Sequence, residues 1–181
     1  MASLSRSGAI TGALLIITGA MGAGKTSVLG EASDILRLQR IAHAAIDVDA
    51  LGVAYVPTAS RNDEAMYCNL RSVCNNCAAL GVTRFLLARA LENRCELDIC
   101  RGIVSAVNTT VCRLTANVEM MGARVKRRES GVSQREYVSR VAELNVILDR
   151  ARLEDFSVVN ENRPLTEVAH EMLVRAGWIS N

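Results

Sequence analysis

Gly19-Ala20-Met21-Gly22-Ala23-Gly24-Lys25-Thr26 is the stretch whose residue types and spacing are best suited to chemistry. It has the form GxxxxGK followed by Ser or Thr. The glycines allow backbone conformations that most residues avoid, so N–H groups can converge on phosphate oxygens. A helix starting at Lys25 presents its N-terminus, with partial positive charge, to the same anion. In this motif the lysine reaches the β- and γ-phosphates of a nucleoside triphosphate, and the Thr26 hydroxyl ligates Mg²⁺. The expected nucleotide contacts are therefore Gly19, Met21, Gly22, Ala23, Gly24, Lys25, Thr26 and Ser27.

Asp47-Val48-Asp49 follows the next apolar run, His43-Ala-Ala-Ile46. If that run is a strand, both carboxylates stand at the sheet end where the phosphate loop lies, and ligands of open α/β sheets bind there. In an extended segment, alternation places the two side chains on one side. They suit a Mg²⁺–water shell and the proton of an attacking hydroxyl. A polar strand end with a helix cap would carry the same residues. The third apolar run, Phe85-Leu-Leu-Ala88, is followed by Arg89 and not by an aspartate. Asp47 is then the expected metal-side carboxylate, together with Thr26.

Basic residues are concentrated in Ala123-Arg-Val-Lys-Arg-Arg128, where Arg124 and Arg128 fall four apart on one helical face with Arg127 beside them. A solvated basic face has the same spacing. The acceptor side of such a site is expected between Asp49 and Arg71, with Tyr55, Arg61, Asn69 and Arg71 as its polar members. Arg71 suits an acidic substrate group and equally a plain surface.

The elements needed to hold these residues can be read from periodicity. Ala13-Leu-Leu-Ile-Ile17 is the continuous apolar run of a strand buried on both faces. A helix is expected from about Lys25 to Leu38, then helices at about 63–80, 94–107 and 118–129. Strands are expected at 84–88, 110–114, where Arg113 interrupts the apolar pattern, and 156–159. Ser133-Gln-Arg-Glu136 has the form of a capping box opening another helix. A last helix ends at Ala176. Strands alternating with helices indicate an α/β fold of three layers with a mostly parallel sheet.

Composition narrows the partners. The chain has 181 residues, 50% hydrophobic and 22% charged, as a globular domain has. A formal net charge of +2 and 3% aromatic residues oppose nucleic-acid binding. Lys25 is one of only two lysines, against nineteen arginines. The apolar run before the loop is too short to span a membrane and supplies the strand the loop requires, so it is not read as a signal peptide. The expected location is cytoplasmic. Cys74 and Cys77 have the spacing of half a zinc site, but no second pair matches it among the six cysteines, which are read as buried reduced thiols. Oligomeric state is left open.

The inner spacing Gly19-x-x-Gly22-x-Gly24-Lys25-Thr26 resembles the loop of small-molecule and nucleotide kinases. With the Asp47-Val-Asp49 pair and the arginine helix, the chain resembles the small P-loop kinases related to adenylylsulfate, shikimate and gluconate kinases. IDVDALG, VCRLTA and EVAHEMLVRAGW are also similar to bacterial proteins described as ATP-binding or AAA-family, although the chain is too short for an AAA module. The resemblance implies a P-loop NTPase fold over 1–181, with a five-stranded parallel sheet of order 2-3-1-4-5 and a short lid at about 124–136. It implies ATP and Mg²⁺, favoured over GTP because no NKxD motif is present, and a small-molecule acceptor. It implies Asp47 on the metal or base side, Asp49 at the acceptor, and Arg124 or Arg128 on the transferring phosphoryl group. It places Arg163 and Pro164 near the adenine. A nucleotide-binding regulatory protein would use the loop without Asp49 or the arginines.

Overall fold

Apolar patterning sorts the chain into layers. The computed structural model describes residues 12–54, 60–131 and 134–181, the side chains of 60–62 excepted. Strand β1 (Gly12–Thr18) has Leu14 to Ile17 buried. Leu15 and Ile17 join one core cluster, and Leu14 and Ile16 the other. That alternation is how a central strand serves two faces.

The first cluster takes its apolar residues from helices α1 (Lys25–Leu38), α4 (Val118–Arg128), α5 (Gln134–Ala151) and α6 (Leu165–Arg175). The second takes them from α2 (Ser60–Ala79) and α3 (Arg94–Val104). Between them lies one parallel sheet with β2 (Ala44–Asp47), β3 (Arg84–Ala88), β4 (Ala106–Thr115) and β5 (Phe156–Val159). Its order is β2-β3-β1-β4-β5, every neighbouring pair parallel. The expected three-layer fold and strand order are found. Because β1 is central, the loop after it opens at the middle of the sheet edge, beside the ends of β3 and β4.

Helix α2 starts at Ser60, ahead of the expected Asp63, and two boundaries further along differ for local reasons. Helix α3 stops at Val104, because Ser105 adopts a left-handed conformation (φ 50°) and the chain passes directly into β4. Strand β4 then starts at Ala106, since its polar first residues still ladder against β1 from Gly12 onward. The expected capping serine, Ser133, lies outside the described residues. No helix among the described residues is long and apolar enough to cross a membrane.

Arg113, which breaks the apolar pattern of β4, is buried. Its Nη2 lies 2.7 Å from Asp149 Oδ1 and donates to Asn145 Oδ1 at 3.1 Å, and its Nη1 lies 3.5 Å from Glu154. A buried charge is tolerated when it is paired and hydrogen-bonded. It ties α5 and the following turn to the sheet. Arg113→Ala should lower unfolding free energy by about 2–4 kcal/mol, through a cavity and lost partners. Urea denaturation followed at the buried Trp178 would measure it.

Candidate active site

The loop from Gly19 to Gly24 is clamped by protein on its outer side. At Gly22 (φ +79°) an added Cβ would collide with the Met121 carbonyl of α4. At Gly24 (φ +96°) it would collide with the side-chain amide of Asn160. Both positions combine the left-handed region with close packing, and only glycine satisfies both conditions without strain. Asn160 Nδ2 donates to the Ala23 carbonyl at 2.8 Å. Arg124 donates from Nη1 to the Gly22 carbonyl at 3.2 Å and from Nη2 to the Asn160 carbonyl at 3.0 Å. Met21, Gly22, Gly24, Lys25, Thr26 and Ser27 line a cleft of about 580 Å³, while Ala23 is fully buried behind it.

Lys25 Nζ donates to the carbonyls of Gly19 (3.0 Å) and Ala20 (3.3 Å). Burial pushes its pKa below the ordinary range; Asp49 and Asp47 oppose that shift, and Arg128 and Arg89 add to it.

The two aspartates diverge. Strand β2 ends at Asp47, Val48 turns helical (φ −67°, ψ −34°), and Asp49–Leu51 form a 3₁₀ turn. The expectation of one extended segment with both carboxylates on a side is therefore corrected. The cause is local: Asp47 Oδ1 accepts the Asp49 backbone N–H at 3.2 Å, and that bond curls the chain. Asp47 Oδ2 accepts from the Thr26 hydroxyl at 2.6 Å, so the two expected metal-side residues do meet. Asp49 lines the cleft, and its Oδ1 is 2.5 Å from Arg89 Nη1.

Sequence reasoning assigned no role to Arg89 or Asn160. A charged residue directly after a buried strand, at the ligand-binding end of the sheet, was the available signal for Arg89. Asn160, the residue after β5, is one of the few buried polar residues and offered only its position.

Arginines also line the cleft. Arg127 and Arg128 line the cleft from the exposed end of α4, Arg128 pairing with Glu129 at 2.8 Å. Arg124 also lines it, while its two nitrogens are engaged on the loop and on Asn160. Arg163 is on the rim, 2.7 Å from Glu171. Pro164 stands at the N-cap of α6 and is absent from the cleft lining.

The expected acceptor residues are the least assembled. Asn69 donates its amide to the Leu51 carbonyl at 3.0 Å, tying α2 to the 3₁₀ turn. Arg71 is exposed on α2 and does not line the cleft. Tyr55 and the Arg61 side chain lie outside the described residues. Among the described residues no three His, Cys, Asp or Glu side chains are grouped as a metal cage. All six cysteines are free, but only Cys74, Cys100 and Cys112 are buried, with thiols raised by burial to about 12, 11 and 12, whereas Cys68 and Cys95, expected inside, are exposed on helices α2 and α3.

No family model matches the chain, and no curated protein matches it. Solved structures do. A gluconokinase from Sinorhizobium meliloti is 18% identical, with 93% of each chain covered and a TM-score of 0.60. A shikimate kinase from Acinetobacter baumannii, in complex with shikimate, is 16% identical over 92% of this chain and 93% of its own, with a TM-score of 0.58. A sugar kinase from Janibacter sp. is 18% identical over 91% and 93%, with a TM-score of 0.60. At these identities the likeness is one of fold: this chain has the fold of the small P-loop kinases.

Proposed function

We propose that this chain is an ATP-dependent kinase that transfers the γ-phosphoryl group to a hydroxyl of a small molecule. The observation that carries the reading is the convergence of Lys25, Thr26 and Asp49 on one cleft lined also by arginines, with Asp47, which is not itself in the lining, accepting the Thr26 hydroxyl. The fold shared with kinases supports it, and so does a cleft of a size suited to a small ligand.

The chain's own groups divide the work. Lys25 and the loop amides hold the β- and γ-phosphates. Thr26 and Asp47 would hold Mg²⁺: a hydroxyl and a carboxylate in contact are hard oxygen donors, and Mg²⁺ typically takes one or two carboxylates and completes its shell with phosphates and water. That ion would neutralise charge between the β- and γ-oxygens. Asp49 accepts a hydrogen bond from the acceptor hydroxyl and takes its proton as the new O–P bond forms and the bond to the β-phosphate oxygen breaks, releasing ADP. Arg127 and Arg128 stabilise charge on the moving group. Arg124 steadies the loop while presenting part of its guanidinium to the cleft. Arg163 borders the nucleoside, with Pro164 shaping the turn behind it.

Acceleration of ADP formation from Mg·ATP by fractions of a metabolite pool tests the reading. A fraction that accelerates turnover in the native chain and not in Asp49→Asn supports it. If no fraction accelerates turnover and Asp49→Asn changes nothing, the chain is a nucleotide-binding partner protein instead. The metal assignment has its own check. Asp47→Asn should raise the Mg²⁺ concentration for half-maximal turnover by about 10–100-fold, and Thr26→Val should do likewise. Equal Mg²⁺ dependence in all three proteins would remove both residues from the metal site.

A further inference from the structure

Arg89 has no part in the scheme above, yet its guanidinium joins three elements around Asp49. Its Nη1 is 2.5 Å from Asp49 Oδ1 on the 3₁₀ turn, and its Nη2 is 3.8 Å from Asp63 on α2 and 3.9 Å from Glu96 on α3. The side chain is only 17% exposed, whereas that of Asp49 is 52% exposed. The Tyr67 hydroxyl is buried without a hydrogen-bond partner among the described residues, and burial, with nearby Cys100 and Glu96, raises its pKa despite Arg89.

The base of the arginine is firmly held. Its backbone N–H donates to the Ile17 carbonyl of β1 at 3.1 Å, and the preceding Ala88 carbonyl accepts the Val48 N–H at 3.0 Å. The Cα of Arg89 is therefore placed by the same strands that place the phosphate loop and Asp47. Burial works against the charge, but Asp49 and its other partners more than offset that, and the guanidinium stays cationic well above the ordinary range.

We infer that Arg89 is the positioning residue of the acceptor side, holding Asp49 with one carboxylate oxygen engaged and the other presented to the acceptor hydroxyl. The inference rests on the kinase reading. Among the described residues Asp49 Oδ2 has no hydrogen-bond partner, and Asp49 lines the cleft while Arg89 does not. An arginine already facing Asp49, Asp63 and Glu96 is poorly placed to bind an acceptor anion. Its fork is better suited to support, with one arm on the catalytic carboxylate and the other toward the helices behind it. An unheld Asp49 on an exposed turn would sample several rotamers, and misplacement of about 1 Å can cost about 100-fold in rate.

The test measures ADP formation from Mg·ATP by the full chain, with water as acceptor, and millisecond hydrogen exchange at Leu51 and Gly52. Those two amides close the turn onto the Val48 and Asp49 carbonyls. Arg89→Met should lower kcat by about 10–100-fold and move the KM for ATP by less than about threefold. Arg89→Lys should recover part of the loss, because it keeps the charge without the fork. In an Asp49→Asn background, Arg89→Met should add nothing further. An equal loss in both backgrounds, or a loss confined to KM, overturns the inference. If the native chain forms no ADP either with water or with any fraction of the metabolite pool, the kinase reading fails and exchange decides the clamp. Faster exchange of Leu51 and Gly52 in Arg89→Met than in Arg89→Lys sustains it, and identical exchange refutes it. Should Arg89→Met not fold, Arg89→Gln replaces it under the same criteria.

Discussion

Lys25→Met should lower ADP formation from Mg·ATP by about 100–1,000-fold, the size of effect expected when a charge aimed at a transition state is removed from a partly dry site. Its thermal stability should hold or rise. The two expectations have one origin. The Lys25 ammonium donates to the Gly19 and Ala20 carbonyls from a half-buried position where desolvation disfavours the charge. Methionine has similar length and no charge to desolvate, so folding loses little. The sign with pH follows from the lowered pKa. Below it, the unfolded chain holds the Lys25 proton more readily than the folded one does, and the lysine costs stability there. That cost is relieved as pH rises from the folded pKa to the ordinary 10.5. The stability advantage of Lys25→Met should therefore shrink over that window. Melting curves at several pH values, paired with a coupled ADP assay, would test both halves. A Lys25→Met chain that turns over ATP at an undiminished rate would remove the lysine from the chemistry.

The second large effect is expected at Gly24. An alanine there meets two obstacles at once. The left-handed backbone (φ +96°) costs a non-glycine residue about 1–2 kcal/mol. The new Cβ also collides with Asn160 Nδ2 and displaces the amide that donates to the Ala23 carbonyl, worth about 1–3 kcal/mol when the buried acceptor is left unpaired. If the bound loop conformation bears that strain, affinity for a fluorescent ATP analogue falls by about 30–3,000-fold, taking 1.4 kcal/mol per tenfold. The two causes can be separated. Asn160→Ala removes the clash but already leaves the Ala23 carbonyl unpaired, so the two losses should not add, and Gly24→Ala with Asn160→Ala should bind no worse than Gly24→Ala alone. If the double variant binds worse than either single one by the sum of their losses, the clash has no role and Asn160 acts elsewhere. Full binding by Gly24→Ala itself would show that the loop adopts another conformation when it takes nucleotide.

Residues that act through their neighbours in the chain are legible from the sequence alone. The phosphate loop, the helix it opens at Lys25 and its end at Leu38 follow from glycine placement and apolar spacing over a few turns. The two-faced burial of β1 follows from an unbroken apolar run, and alternation of elements indicates a parallel sheet because parallel strands need crossovers. Strand order came from resemblance, since local pattern does not rank strands across a sheet.

What only the tertiary structure decided are contacts between residues far apart in sequence. Arg89 meets Asp49 across 40 residues, Arg124 meets the Gly22 carbonyl across 102, and Asn160 meets the Ala23 carbonyl across 137. No periodicity encodes such pairs: they exist because parallel strands bring their ends to one sheet edge, whatever the chain length between them. The same reason explains the split of Asp47 from Asp49. Only two residues apart, they were expected to share one side of an extended segment, but one meets the Thr26 hydroxyl after β1 and the other meets Arg89 after β3. By itself the sequence determined that the chain carries a P-loop motif on a strand–helix scaffold. The sheet edge decided that Asp47 meets Thr26 and Asp49 meets Arg89, because the neighbours that distinguish them come from other strands.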